Sequence, residues 1–180
     1  IAVGSLAASV TSFFLVMGGE DQRTILFWLM GSFSSSRWDH VLMLLPYVVV
    51  GLAVVLIFSR DLNVLLLGDE QAAHLGINVE RVRLILLVAS ACLAASAVAV
   101  CGVIGFVGLI VPHLVRLMVG PDYRVLTPVA AVTGGLLLIV ADTAARTILA
   151  PAEMPIGIIT TVLGGPFFLY LLHRQRHRLF

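Results

Sequence analysis

A chain of 180 residues that is 60% hydrophobic and only 12% charged carries a net charge of +1 and a mean hydropathy of +1.09. Soluble domains hold about 25% charged residues, and so short a chain has too little polar surface to cover this much apolar sequence in water. The composition excludes a soluble domain and offers nothing for nucleic acid to bind; the expected class is an all-α, polytopic membrane helix bundle.

A helix rises about 1.5 Å per residue, so about 20 apolar residues cross a hydrocarbon core about 30 Å thick. On that measure six spans are expected, near residues 1–17, 41–59, 84–103, 106–119, 126–145 and 156–172. The first starts at Ile1 without the charged start or cleavage site of a signal peptide, which reads as the later part of a longer polypeptide. Its Ser5, Ser9 and Ser12 share one face. Such a stripe lines a hydrated passage or bonds back to helix carbonyls, and both readings stay open. A polar stretch, 18–40, follows with room for a short amphipathic helix.

After the second span comes a polar bridge, 61–83. Gly68-Asp69-Glu70 has the form of a helix start, with acids at the positive end of the dipole. Gly76 would stop that helix. Asn78 would cap a second short helix carrying Glu80, Arg81 and Arg83. Two short helices meeting at a glycine make a shaped surface; an ordinary solvated loop is the plainer alternative.

The third span is rich in small residues from Ala89 to Ala97, which let helix backbones approach. Ala130, Gly134 and Gly135 offer the same in the fifth. Cys92 and Cys101 sit on opposite faces of the third span, without metal-ligand spacing, and read as packing residues. A glycine-rich break at Gly102, Gly105 and Gly108 leads to the fourth span. There Pro112 should break the helix and His113 should bond a freed carbonyl, in preference to serving as a proton relay or metal ligand. Arg116 should snorkel to the interface. A tight loop, 120–124, precedes the fifth span. Near its end Asp142 and Arg146 stand four apart, either as a local ion pair or with Arg146 offered to an acidic partner. Glu153 and Pro155 suit the first turn of the last span.

The basic residues set the orientation. All eleven are Arg. Arg60, Arg81, Arg83, Arg116, Arg124, Arg174, Arg176 and Arg178 fall on one side of the six spans, and Arg23, Arg37 and Arg146 on the other. The richer side should be cytoplasmic. The bridge, the loop near Pro121 and the tail 173–180 are thus expected inside, and the loops 18–40 and 146–155 outside. No HExxH, GxSxG or CxxC occurs. A phosphate-binding Walker loop needs a Lys, and the chain has none, so it cannot hydrolyse ATP through a P-loop of its own.

Several segments together resemble one family, the membrane-spanning subunits of ABC importers for iron–siderophores, haem and vitamin B12. They are Phe27-Trp28-Leu29-Met30-Gly31-Ser32-Phe33, Leu67-Gly68-Asp69-Glu70-Gln71-Ala72-Ala73-His74-Leu75-Gly76, Gly105-Phe106-Val107-Gly108-Leu109-Ile110-Val111-Pro112-His113-Leu114-Val115-Arg116, Ala141-Asp142-Thr143-Ala144-Ala145-Arg146, Glu153-Met154-Pro155-Ile156-Gly157 and Leu163-Gly164-Gly165-Pro166-Phe167. They occur in the family's order and spacing along essentially the whole chain. Family subunits have about ten spans, and this chain resembles their C-terminal half or slightly more.

The resemblance implies a single, partial transmembrane domain over 1–180 in a bacterial plasma (inner) membrane. It implies a second permease copy, two cytoplasmic ATPase subunits and a periplasmic or lipid-anchored substrate-binding protein, with no cofactor and no enzymatic activity of its own. It implies that Gly68, Glu70, Ala72, Leu75 and Gly76 lie at the ATPase contact, and that Arg146 docks an acidic residue of the binding protein. Transport would proceed by alternating access. Two other classes fit the composition: a self-contained ion-coupled carrier or channel, and a non-transporting scaffold or truncated remnant.

Overall fold

The computed structural model describes residues 2–17, 22–34, 36–148 and 154–176. Every regular element among them is a helix: α1 (Ala2–Met17), α2 (Gln22–Leu29), α3 (Trp38–Ile57), α4 (Ser59–Leu65), α5 (Asp69–His74), α6 (Val79–Cys101), α7 (Val107–Val119), α8 (Tyr123–Thr147) and α9 (Ile156–Arg176). By length and composition α3, α6 and α8 can each cross a membrane, and shorter apolar stretches lie in α1, α7 and α9. The six apolar segments are thus all helical, and the amphipathic helix expected within 18–40 is α2.

Burial is inverted relative to a water-soluble bundle. Leu42, Leu87 and Leu136 are 67%, 67% and 59% exposed. Those leucines belong to surfaces that face lipid or further protein, where association rests on close packing because lipid tails supply no hydrophobic drive between helices. The packing that exists is local and tight. Val111 and Val115 of α7 bury against Leu126 of α8, with Tyr123 and Ala130 at the edge of the cluster. Ala141 and Ala145 of α8 bury with Ile156 of α9. Helices α3 and α6 meet where the Leu93 side chain fills the notch left by Gly51, which has no room for a Cβ.

Four local expectations change. Asn78 does cap a helix, its side chain accepting from the Arg81 N–H at 3.1 Å. That helix is not short: α6 runs unbroken from Val79 to Cys101. No Gly or Pro occurs between Val79 and Cys101, so the charged turn propagates straight into the span as its foot. Pro112 does not break α7, which continues across it from Val107 to Val119. Proline lies early in that helix, and the carbonyl it deprives is that of Gly108 in the first turn. His113 meets the Phe167 ring edge-on, with centroids 5.8 Å apart, and does not bond a freed carbonyl. The glycine-rich break is confined to 102–106, and Gly108 already belongs to α7.

Candidate coupling and docking ends

The polar bridge folds as one block. Its first part, α4, was not anticipated. It begins at a bend where the buried Ser59 hydroxyl donates to the Leu56 carbonyl at 2.6 Å. Gly68 then turns the chain at φ +110 into α5. Asp69 and Glu70 occupy the first turn of α5 and His74 the last. Gly76 ends it at φ +84. Its N–H donates to the Ala73 carbonyl at 3.0 Å, and the Ile77 N–H reaches back to the Ala72 carbonyl at 3.1 Å. That double closure is a Schellman stop, and it requires a residue at ease in left-handed backbone. Arg83 at the foot of α6 donates to both carboxylate oxygens of Asp69, at 2.7 and 2.9 Å. The pair is well exposed and adds little stability, but it links the start of α5 to the foot of α6.

The five bridge residues singled out in the sequence do not share one role. Ala72 is fully buried and faces its own chain, so it seats α5. Gly68 and Gly76 shape the backbone, and a Cβ on either would meet open space. Glu70 and Leu75 are exposed, Leu75 at 65%. Leu66 and Leu67 just before α5 are exposed as well. An acidic residue beside three exposed leucines, on a block held from behind by Ala72, is a surface suited to a protein partner.

Behind this block lies a polar lock that the sequence reading missed. The Asn63 amide of α4 donates to Asp122 Oδ1 at 2.6 Å, and its carbonyl oxygen accepts from the Tyr123 N–H at 2.8 Å. Asp122 is the N-cap of α8, accepting from the Arg124 N–H at 2.9 Å. The Arg124 N–H first, and then the Asn63 amide, hold the Asp122 carboxyl below the usual aspartate range. Arg116 of α7 donates to the Tyr123 hydroxyl at 3.0 Å, and its guanidinium carbon lies 5.5 Å from the centre of that ring. Helices α4, α7 and α8 therefore converge at one point. The sequence cue was the Gly120-Pro121-Asp122 turn; its partner lies 59 residues away and carries no local mark.

Arg146 stands at the other end of α8, about 35 Å from Tyr123 at about 1.5 Å per residue. Its Nε donates to Asp142 Oδ2 at 2.8 Å, and the Arg146 side chain remains 47% exposed. This end is closed by backbone. The Ser32 N–H donates to the Cys101 carbonyl at 2.9 Å, and the Gly157 N–H to the Gly31 carbonyl at 3.5 Å. Segment 30–33 is thereby wedged between the end of α6 and the start of α9. Gly102 lies hard against the Trp28 carbonyl and Gly157 hard against the Met30 carbonyl. Nearby, Phe106 takes left-handed backbone at φ +65, and its side chain fills the space beside Gly164 of α9.

Ser5, Ser9 and Ser12 are all exposed on α1. The Ser9 hydroxyl donates back to the Ser5 carbonyl at 2.9 Å. Glu153 lies outside the described residues, while Pro155 directly precedes α9 and is buried.

Comparison with known proteins returns consistent matches. The model of the FecCD transport family matches residues 1–174. The cobalamin import system permease protein BtuC of Halobacterium salinarum is 52% identical over 178 residues, which is 99% of this chain and 48% of that protein. The hemin transport system permease protein HmuU of Yersinia pestis is 46% identical over 99% of this chain and 54% of its own length. A solved structure described as an inward-facing conformation of a metal-chelate type ABC transporter superposes with a TM-score of 0.84 at 34% identity. It covers 94% of this chain and 56% of its own. The chain thus spans about half the length of the curated relatives it matches.

Proposed function

This chain belongs to the FecCD transport family, and on that premise we propose that it is the C-terminal half or slightly more of the transmembrane subunit of an ATP-binding-cassette importer for a bulky metal chelate, an iron–siderophore, haem or cobalamin. Its relatives are permeases for cobalamin and hemin. The membrane is the plasma, or inner, membrane of a bacterial cell. A second permease copy completes the pathway, cytoplasmic ATPase subunits sit below the bridge, and a binding protein delivers the chelate at the end that carries Arg146.

One observation carries this reading. The chain has two unlike ends about 35 Å apart along one helix: a stiff polar block with exposed Glu70 and Leu75, and a far end with the half-exposed Arg146. Such a helix turns displacement at one end into displacement at the other. ATP-driven closure of the ATPase pair would push on α5. Because Ala72 is buried and the Gly76 stop is rigid, α5 would move with α4 and α6 and not unravel. The spans then tilt between two packings, opening the pathway to one side and then the other. The Ser5, Ser9 and Ser12 stripe on α1 would border that pathway when the second copy is present.

The test uses the complete permease with its ATPase and binding protein in proteoliposomes. Glu70→Arg should leave ATP hydrolysis running while uptake of the bound chelate falls at least tenfold. Arg146→Glu should weaken docking of the binding protein without touching the ATPase contact. Normal uptake in the first variant and unchanged affinity in the second would remove the assignment.

A further inference from the structure

The bridge helix α5 has little hold of its own on α8, the helix that carries Arg146. It rests on α4 and on the foot of α6, and it is α4 that lies against the start of α8. At that contact the side chain of Asn63 makes both hydrogen bonds described above, to Asp122 Oδ1 and from the Tyr123 N–H. Asparagine suits this position because its amide offers a donor and an acceptor in one plane. Leucine would offer neither. Aspartate could still accept from Tyr123, but it would set a second carboxylate against Asp122, whose carboxyl is ionised across the neutral range. Tyr123 is in turn tied to α7 by Arg116 and packs against the Val111, Val115 and Leu126 cluster. Beyond that cluster α8 is continuous to Ala141 and Ala145, which bury with Ile156 of α9. The α4–α5 and α7–α8–α9 units touch where α4 packs on α8, with α3 beside both, and at that contact Asn63 supplies the directional bonds.

We propose that Asn63 is a positioning residue for coupling: its paired hydrogen bonds to Asp122 and Tyr123 clamp the bridge block to α8, so that displacement of α5 is delivered to the far end of that helix. This rests on the reading of α5 as the ATPase contact. Asn63 touches neither ATP nor cargo, and its role is to fix the angle between α4 and α8. Without the clamp the bridge would follow the ATPase while α8 lagged behind it.

The experiment uses the complete permease dimer with its ATPase in nanodiscs. Spin labels placed on the exposed Thr147 of each copy report the distance between the far ends of the two α8 helices. ATP with vanadate is the probe, so no cargo is needed. The native dimer should show a distance shift on adding the probe. Asn63→Asp should lose that shift, and Asn63→Asp combined with Asp122→Asn should regain it, because the exchanged pair restores one amide facing one carboxylate. Rescue by exchange would not follow from general destabilisation. Asn63→Leu should lose the shift and should not be rescued by Asp122→Asn. A native shift in Asn63→Asp, or its absence in the exchanged pair, would overturn the proposal. Glu70→Arg separates the two layers. If it abolishes the shift while Asn63→Asp does not, the coupling role of α5 stands and the clamp falls. If Glu70→Arg keeps the native shift, the reading of α5 itself falls.

Discussion

The two ends of this bundle are held together by opposite means. At the bridge end, side chains make the joints: Asn63 with Asp122 and Tyr123, Arg83 with Asp69, and Arg116 with Tyr123. Glycine serves there for conformation, since Gly68 and Gly76 have positive φ and open space around them. At the Arg146 end, backbone meets backbone, and glycine serves for space. Gly102 and Gly157 lie against carbonyls of the 27–33 segment with no room for a methyl group. Side-chain joints in a polar setting can bend and re-form, whereas backbone contacts at van der Waals distance can only hold or fail. A device that receives force from a partner suits the first kind of joint, and a scaffold that keeps three segments in register suits the second.

That contrast can be broken most severely at Gly102. Gly102→Ala must force a Cβ into the Trp28 carbonyl while also holding backbone at φ +73, ψ −169, which is essentially glycine territory. The expected loss is about 3 kcal/mol or more, read as a lower melting temperature or a collapse in yield of folded protein in detergent. Gly76→Ala tests the other use of glycine. Only the left-handed backbone resists it, so the expected cost is about 1 kcal/mol, with Gly76→Asn costing less. Equal losses at the two glycines would erase the distinction.

A pH titration sharpens the comparison further. The Asp122 carboxyl is held below its ordinary 3.8, first by the Arg124 N–H and then by Asn63. A group lowered in the folded state lends stability that is fully present above its unfolded value and is lost as pH falls through the folded one. The bridge-end joint should therefore stay closed through pH 5 and open only below 3.8. Hydrogen exchange at the Tyr123 and Arg124 amides should report it, while the Ser32 amide at the other end, bonded to a backbone carbonyl, should not respond. The smallest effect belongs to the exposed pair at the far end of α8. Asp142→Ala should change stability by no more than about 0.5 kcal/mol, so a large loss there would mean that Arg146 does more for folding than its exposure implies.

Local chemistry made much of this molecule legible. Runs of apolar residues marked six helices, Asn78 marked an N-cap, and Gly76 marked a stop, because capping and left-handed turns depend on residues within a few positions of each other. Asp142 and Arg146 found each other for the same reason. The expectations that changed were also local, but each needed a neighbour. Pro112 stays in its helix because its cost falls on a first-turn carbonyl. The turn at Asn78 runs on into α6 because nothing after it interrupts the ladder. His113 takes Phe167 as its partner because α9 comes beside α7.

What the amino-acid order determined by itself is therefore the membrane class, the six apolar helices, the cap at Asn78 and the stop at Gly76, and the contrast between a polar bridge and apolar flanks. What only the tertiary structure decided is who meets whom. Asn63 reaches Asp122 across 59 residues, Gly102 receives the Trp28 carbonyl, and Ala72 turns inward while Glu70 and Leu75 stay outside. Propensity and capping are settled within one turn of chain, but a contact between helices depends on the angle and register at which both are packed, and neither is written in either helix alone.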